Sequence, residues 1–309
     1  MRVSSRRWRF LLLLVALVYV ICFALIQQDH GRREAINEIY QGAQYFNPVY
    51  RNTRTLIMVP GHGVLQSLNA SDWKNQSNWG LESYQLRDGV ALPFCFASHI
   101  RRAFVLLKDR VNSSILIFSG GQTRACAGPR SEALSYYIVA EETNLFGLFN
   151  STSQARSILA QHVFTEEFAR DSFENLLFSI ARFYEITGHF PDSIIVVGWK
   201  HKRDRFVNYH REALRYPIEK FFYVGLDFDD AAPFVRDLEP YRLALPYSDV
   251  KALSFVNKDM YLCSAGRATK RQRNPHYRVS PYEVSCPPLR PLLKYCGPHL
   301  IDRKLVPWG

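Results

Sequence analysis

A chain of 309 residues that is 47% hydrophobic and 22% charged has enough apolar material for one large core, which excludes bulk disorder. The formal charge of +11 is concentrated at the two ends: the first 30 residues carry four Arg against one Asp, and residues 266–309 carry nine Lys or Arg against two acids. A single surplus positive charge is left for residues 31–265, so no basic stripe runs along the domain and a nucleic-acid partner is excluded; anionic lipid headgroups or plain solvation account for the tail.

The chain opens on Arg2, Arg6, Arg7 and Arg9, followed by Phe10–Ile26, an uncharged run of 17 residues. That length is at the short end of what spans a bilayer, and the basic residues before it predict a cytoplasmic N-terminus. The organisation read from this is a basic tail over 1–9, a transmembrane signal-anchor over 10–26, a stalk over 27–54 with a helical stretch at Arg32–Tyr40, an α/β domain over 55–226 and an extension over 227–309. A cleaved signal peptide is the rival, since Cys22-Phe23-Ala24 loosely fits a cleavage pattern. Both readings place the remainder in the secretory lumen or outside the cell. Asn-X-Ser/Thr triplets at Asn69, Asn75, Asn112 and Asn150 agree with a glycosylated protein of the endoplasmic reticulum, Golgi or cell surface. In that oxidising compartment Cys95, Cys126, Cys263, Cys286 and Cys296 are an odd set, with one bridge expected among the last three. No Cys or His spacing indicates zinc.

Thr55–Val59 is a short apolar run halted by Pro60-Gly61-His62-Gly63, which predicts a first buried strand and its turn. Leu65–Gly80 reads as a long surface loop, and Glu82–Arg110 as mostly helical, divided at Gly89 and Pro93. Ile115–Phe118 is the second strand, Ser131–Leu145 its helix, and His162–Phe164 a brief third strand. Asp171–Gly188 is the best-formed helix: Phe173, Leu176, Leu177, Ile180, Phe183 and Tyr184 share one face, Asp171 or Ser172 caps it, and Gly188 ends it. Ser193–Val197, stopped by Gly198, is the fourth strand; a helix over Arg203–Arg215 leads to the fifth, Phe221–Val224. Apolar strands alternating with helices predict an α/β fold: a Rossmann-like parallel sheet of about five strands covered on both faces, with an irregular helical extension packed on it.

The site is placed where the second strand gives way to a glycine turn and a helix start, because ligands of parallel sheets bind at the carboxyl edge, near free helix N–H groups. Ser119, Gly120 and Gly121, with Gln122 and Ser131, form a candidate anion nest, and Gly61, His62 and Gly63 occupy the matching position on the first strand. Glu132 and Glu174 each open a helix. Dipole complementarity explains one such carboxylate; two at one cleft suit a metal-bound phosphate, a ribose hydroxyl or a water, and make both candidate catalytic residues. Ser172 and Asn175 accompany Glu174, while Lys202, Arg203 and Arg205 supply cations for phosphate oxygens. The bland alternatives are a tight turn, a hydrogen-bonded turn histidine and a solvated basic face. His210 reads as structural, and Cys126 as a disulfide or inert thiol.

Taken together, Val59–Gly63, the SGG and SEA of Ser119–Gly121 and Ser131–Ala133, the S-x-E-N of Ser172–Asn175 and the basic strand end resemble the SanA/YdcF/ElyC family over residues 55–225. The block Lys270–Tyr295 resembles the extension of its fungal membrane-anchored members. The resemblance implies a Rossmann-like fold, one N-terminal membrane segment and a link to envelope integrity, with S-adenosylmethionine binding ascribed to one branch. The family's usual H-x-x-R is altered: Lys202 stands at the His position and Arg205 at the Arg position, with Arg203 between, which removes an imidazole and adds fixed charge.

Two classes of function stay open. One is a luminal hydrolase or transferase acting on a phosphate- or diphosphate-bearing substrate, such as a nucleotide-sugar or lipid-linked glycan precursor, with Glu132 or Glu174 placing water or a divalent cation. The other is a non-catalytic module that holds a nucleotide or S-adenosylmethionine and acts through protein partners. Neither a dinucleotide-binding G-x-G-x-x-G nor a G-x-S-x-G nucleophile elbow occurs.

Overall fold

The computed structural model describes residues 14–28, 48–86, 91–227, 230–231 and 249–309. Residues 1–45 and 46–309 form two separate compact units. In the first, residues 14–28 form an exposed helix, α1. Among the described residues no helix is long and apolar enough to cross a membrane. Positions 10–13 of the expected anchor, the tail 1–9 and the stalk helix Arg32–Tyr40 lie outside the described residues.

The second unit is built on β1 (Thr55–Pro60), β4 (Ser114–Ser119), β5 (Val163–Glu166), β6 (Ser193–Trp199) and β7 (Phe221–Leu226). They form one sheet in the order β5-β4-β1-β6-β7, with every pairing parallel. Their β-branched and aliphatic residues alternate between two cores. Ile57, Val59, Leu116, Phe118, Ile195 and Val197 face one, and Leu56, Met58, Ile115, Ile117, Ile194 and Val196 face the other. A strand buried on both sides must be apolar throughout, which is why these runs lack the polar alternation of a half-exposed strand.

The first core is closed by α2 (Leu92–Lys108), α3 (Glu132–Glu142) and α4 (Thr152–His162). The second is closed by α5 (Ser172–Thr187) together with the C-terminal extension, whose Val256, Tyr261, Leu262, Tyr282, Leu289, Leu292 and Ile301 are all buried in it. After β6 the chain passes through a π-helical turn, Arg205–His210, into α6 (Arg211–Ala213). The extension contributes α7 (Val250–Lys258), α8 (Arg267–Gln272), α9 (Tyr282–Ser285) and α10 (Arg290–Leu293), pinned by a Cys263–Cys296 disulfide; Cys95 and Cys286 are buried thiols and Cys126 an exposed one.

Several boundaries move from their sequence-based positions. The expected surface loop Leu65–Gly80 instead folds back on itself: β2 (Val64–Leu65) pairs antiparallel with β3 (Trp79–Gly80), and Trp73 and Trp79 bury their rings, overriding the polar composition between them. Pro93 does not divide a helix; it sits in the first turn of α2, where its missing N–H is harmless. Gly89 lies outside the described residues. Gly198 does not stop β6, which stays paired with β7 as far as Trp199; a Cβ at 198 would lie 3.1 Å from the Tyr223 hydroxyl, so the glycine answers close packing inside the strand. The helix α4 was not anticipated.

Candidate functional site

A cleft of ≈ 570 Å³ opens where the direction of strand succession reverses, between the carboxyl ends of β1 and β6. This is the crevice in which open parallel sheets bind their ligands. Pro60, Gly61 and His62 enter it from β1, Trp199, His201, Lys202 and Arg205 from beyond β6, Glu132 from α3, and Asp171, Ser172 and Asn175 from the start of α5. The opposite wall comes from the extension: Asp249, Phe255, Leu262, Thr269 and Arg273.

The glycine turns serve a different purpose from the one expected. A Cβ on Gly61 would lie 2.4 Å from the Glu132 Cβ, and one on Gly120, held at a φ of +155°, would lie 2.7 Å from it. Both glycines therefore make room for Glu132 rather than for a ligand. The anion nest does not form, because its donors are already used: Gly120 N–H donates to the Glu166 carbonyl at 3.0 Å and Gly121 N–H to that of Ala169 at 2.7 Å. The α3 N-terminus is filled likewise, with Glu132 and Ala133 N–H donating to the carbonyls of Gly121 and Gly120, and Leu134 N–H to Ser131 Oγ. Ser119 donates to Glu166 Oε2 at 2.7 Å, Gln122 to the Pro129 carbonyl, and Gly63 packs against Leu81; none of Gly63, Ser119, Gly120, Gly121, Gln122 and Ser131 lines the cleft.

The two carboxylates expected to act together are separated. Glu132 is buried yet lines the cleft, accepting from Thr123 Oγ1 at 2.5 Å and lying 3.6 Å from Arg124 Nη2. Glu174 lies outside the lining and is saturated: Arg170 donates to it through its backbone N–H, Nε and Nη2 at 2.9, 2.9 and 2.6 Å, and Lys270 stands at 3.1 Å. Burial alone would raise the Glu174 carboxyl, but the Arg170 hydrogen bonds and the Lys270 charge hold it below the ordinary carboxylate value. Asp171 caps α5 by accepting from Glu174 N–H at 2.8 Å.

The cations divide in the same way. Arg203 turns away and donates to the Tyr223 carbonyl at 2.9 Å. Arg205 lines the cleft and pairs with Asp249 at 3.0 Å, while Arg124 and Arg273 both reach Glu82, at 3.1 and 3.2 Å. Lys202 also lines the cleft, its Nζ 3.3 Å from His62 Nδ1, and among the described residues no carboxylate lies within ion-pair reach of it. Loss of water and the Arg205 charge draw the Lys202 ammonium down to about 7. Burial lowers His62 well below its usual value, and burial and the Lys202 charge bring His99 and His201 to about 3, so all three imidazoles are neutral at pH 7.

His210, read as structural, touches the cleft through Ser172, whose Oγ lies 2.8 Å from His210 Nε2. The ring is fully buried and its Nδ1 has no partner. An orphaned buried N–H is worse than an orphaned lone pair, so the neutral ring carries its proton on Nε2 and donates to Ser172. The Ser172 hydroxyl then directs its own proton elsewhere, which makes it a donor into the cleft and not a nucleophile activated by this histidine. Asn175 Oδ1 lies 3.0 Å from the Ser119 hydroxyl, whose one proton goes to the nearer Glu166 Oε2.

Among the described residues no three His, Cys, Asp or Glu side chains are grouped to hold a metal ion. All four Asn of the glycosylation triplets are exposed. Cleft residues not anticipated are Tyr84, Arg124, Arg170, Asp171, His201, Asp249 and Arg273. Asp171 had been read as a cap alone, and Asp249 and Arg273 belong to the extension, where no strand-and-turn pattern pointed to a site.

No family model matches the chain, and no solved structure matches it. Among curated proteins it is similar to the uncharacterized protein YOR238W of Saccharomyces cerevisiae, 31% identical over 262 residues that cover 74% of this chain and 86% of the yeast protein.

Proposed function

This chain belongs to the same family as YOR238W of Saccharomyces cerevisiae, and from that premise we propose that its cleft binds an anionic ligand, phosphate-bearing or nucleotide-like. The observation that carries the reading is the position of Lys202. It is the cation of the cleft that no carboxylate neutralises among the described residues, and it stands at the switch point of a parallel sheet beside Arg205. The strand order, counted over the main sheet as 3-2-1-4-5, supports a Rossmann-like assignment; the SanA/YdcF/ElyC likeness rests on the sequence motifs alone. Ser172 and Asn175 add neutral donors, so the α5 side of the cleft suits an acceptor-rich group. Glu132, set between Thr123 and Arg124, is the carboxylate available to order a ligand hydroxyl or a water. The same reading places the protein in a secretory-pathway membrane, held by the segment 10–26 with residues 46–309 in the lumen, where the exposed sequons are open to glycosylation.

A thermal-shift series on the full chain in detergent tests this with nucleotide-sugars, nucleotides, S-adenosylmethionine, polyprenyl phosphates and pyrophosphate. A ligand of the native fold raises its Tm by mass action. Stabilisation by a phosphorylated class, lost in Lys202→Met and weakened in Arg205→Ala, is the expected result. Stabilisation by S-adenosylmethionine alone, unchanged in Lys202→Met, would replace the phosphate reading with that of a cofactor-binding module.

A further inference from the structure

Lys202 Nζ and His62 Nδ1 lie 3.3 Å apart, so one of them donates to the other. The far side of the imidazole decides which. His62 Nε2 is buried with no partner, in a ring enclosed by Phe96, His99 and Trp199 at centroid distances of 6.0, 5.8 and 6.0 Å. If a Lys202 ammonium donated to Nδ1, the imidazole proton would sit on Nε2 with nothing to accept it. If Nδ1 carries the proton and donates to a Lys202 amine, only a lone pair is orphaned. Buried N–H groups without acceptors are the rarer and costlier case.

The charges around the pair point the same way. Lys202 is faced by Glu132 from α3, Asp249 from the start of α7, Arg273 from beyond α8, His99 from α2, and Arg205 and His201 from its own segment. Apart from Lys202, the ion pairs of the cleft and its backing close on themselves: Arg124, Arg170, Arg205, Arg273 and Lys270 are matched by Glu82, Glu132, Asp171, Glu174 and Asp249. Five cations meet five carboxylates, which leaves Lys202 as the cation without a carboxylate partner among the described residues that line the cleft.

We propose that above neutral pH the ligand-free cleft keeps Lys202 as a neutral amine accepting from His62 Nδ1–H, and that a doubly charged tetrahedral oxyanion then binds together with one proton, taken from solvent onto Lys202 Nζ. This rests on the anion-cleft reading above and gives it a selectivity: the resting cleft is neutral, and only a ligand with charge enough to favour the ammonium recruits the missing proton. The amine gains H⁺, forming one N–H bond, and no other bond changes.

Sulfate is the probe, because it keeps both charges between pH 5.5 and 8.5 and any proton taken up belongs to the protein. Calorimetric affinity of the full chain for sulfate is expected to be flat below about pH 7 and to fall tenfold per pH unit above it. Lys202→Met should remove that slope and weaken binding at pH 6 at least tenfold. His62→Phe, which keeps the ring packing but cannot donate, should move the break upward by a unit or more. Independently of any ligand, pulse acetylation read by mass spectrometry should give Lys202 a midpoint near 7 where exposed lysines titrate near ~10.4. Sulfate affinity without a slope, a slope that survives Lys202→Met, or an ordinary Lys202 midpoint would overturn the proton coupling and leave the anion cleft standing. Failure of both sulfate and pyrophosphate to bind at any pH would overturn the anion cleft and the coupling with it.

Discussion

A lysine drawn down to about 7 has a sign in stability as well as in binding. Its folded value lies below its unfolded one, so between about pH 7 and ~10.4 the unfolded chain holds the extra proton, and native stability rises with pH through that window. Below it the full cost of the depression is present. Lys202→Met should therefore stabilise the ligand-free protein at pH 6 by about 1–3 kcal/mol and lose that advantage by pH 10, as urea midpoints at the two pH values would show. Gly120 makes the opposite prediction. Gly120→Ala places a Cβ 2.7 Å from that of Glu132 at a φ of +155°, and should cost about 1–3 kcal/mol in chemical denaturation while displacing the Glu132 carboxylate from Thr123. Glu132→Gln keeps the packing, so a change in ligand affinity with an unchanged Tm would mark this carboxylate as functional.

At the scale of elements, α5 is held by its first turn. Asp171 caps it, Arg170 and Lys270 enclose Glu174, and Lys270 brings α8 down onto the same corner, 3.3 Å from Asp171 and 3.1 Å from Glu174. Breaking a buried pair strands the partner charges, so Glu174→Gln should cost about 3 kcal/mol of stability with little direct effect on a bound anion. Because the Glu174 carboxyl is held below its unfolded value, its contribution is fully present above that value and is lost as the pH falls through the folded one. Wild type and Glu174→Gln should converge in Tm as the pH drops toward 3.

This corner also shows what could be read from the sequence. The strands β1, β4 and β6 and the helix α5 were legible because burial on two faces demands continuous apolar runs, and because Asp171 and Gly188 punctuate α5 at both ends; β7, at the sheet edge with Phe222 exposed, was legible from its apolar run alone. Lys202, Arg205, His62, Gly61, Glu132, Ser172 and Asn175 line the cleft, at the end of the sheet to which the rule that parallel sheets bind at their carboxyl edge points. Glu174, Arg203 and the glycine nest do not, because the rule fixes which end of the sheet a residue occupies and says nothing of the neighbour that takes its charge or hydrogen bond. The helix α4 went unread: only Ala155, Ile158 and Leu159 of its residues are buried, too few to raise a helical period above its polar surroundings.

Taken as a whole, residues 46–309 share two cores, and the extension belongs to the second as fully as α5 does. The Cys263–Cys296 bridge closes a loop of sequence separation 33 within that extension. On loop-closure grounds its removal in Cys263→Ser should cost about 3–4 kcal/mol. Since the same segment supplies Asp249, Phe255, Leu262 and Arg273 to the cleft, reduction should loosen ligand binding before it melts the sheet, which hydrogen exchange resolved by segment would detect.

The division of the cleft between the sheet and the extension has a consequence in time. Translation delivers the end of β7 at Leu226 before Asp249, and 56 residues before Tyr282, an interval of roughly 3–11 s at cellular elongation rates. At its start the nascent sheet carries Lys202 and Arg205 without Asp249, and one apolar face without Tyr261, Leu262 or Tyr282. The emerging chain therefore exposes that face to water, and the cleft is completed only once the extension has followed.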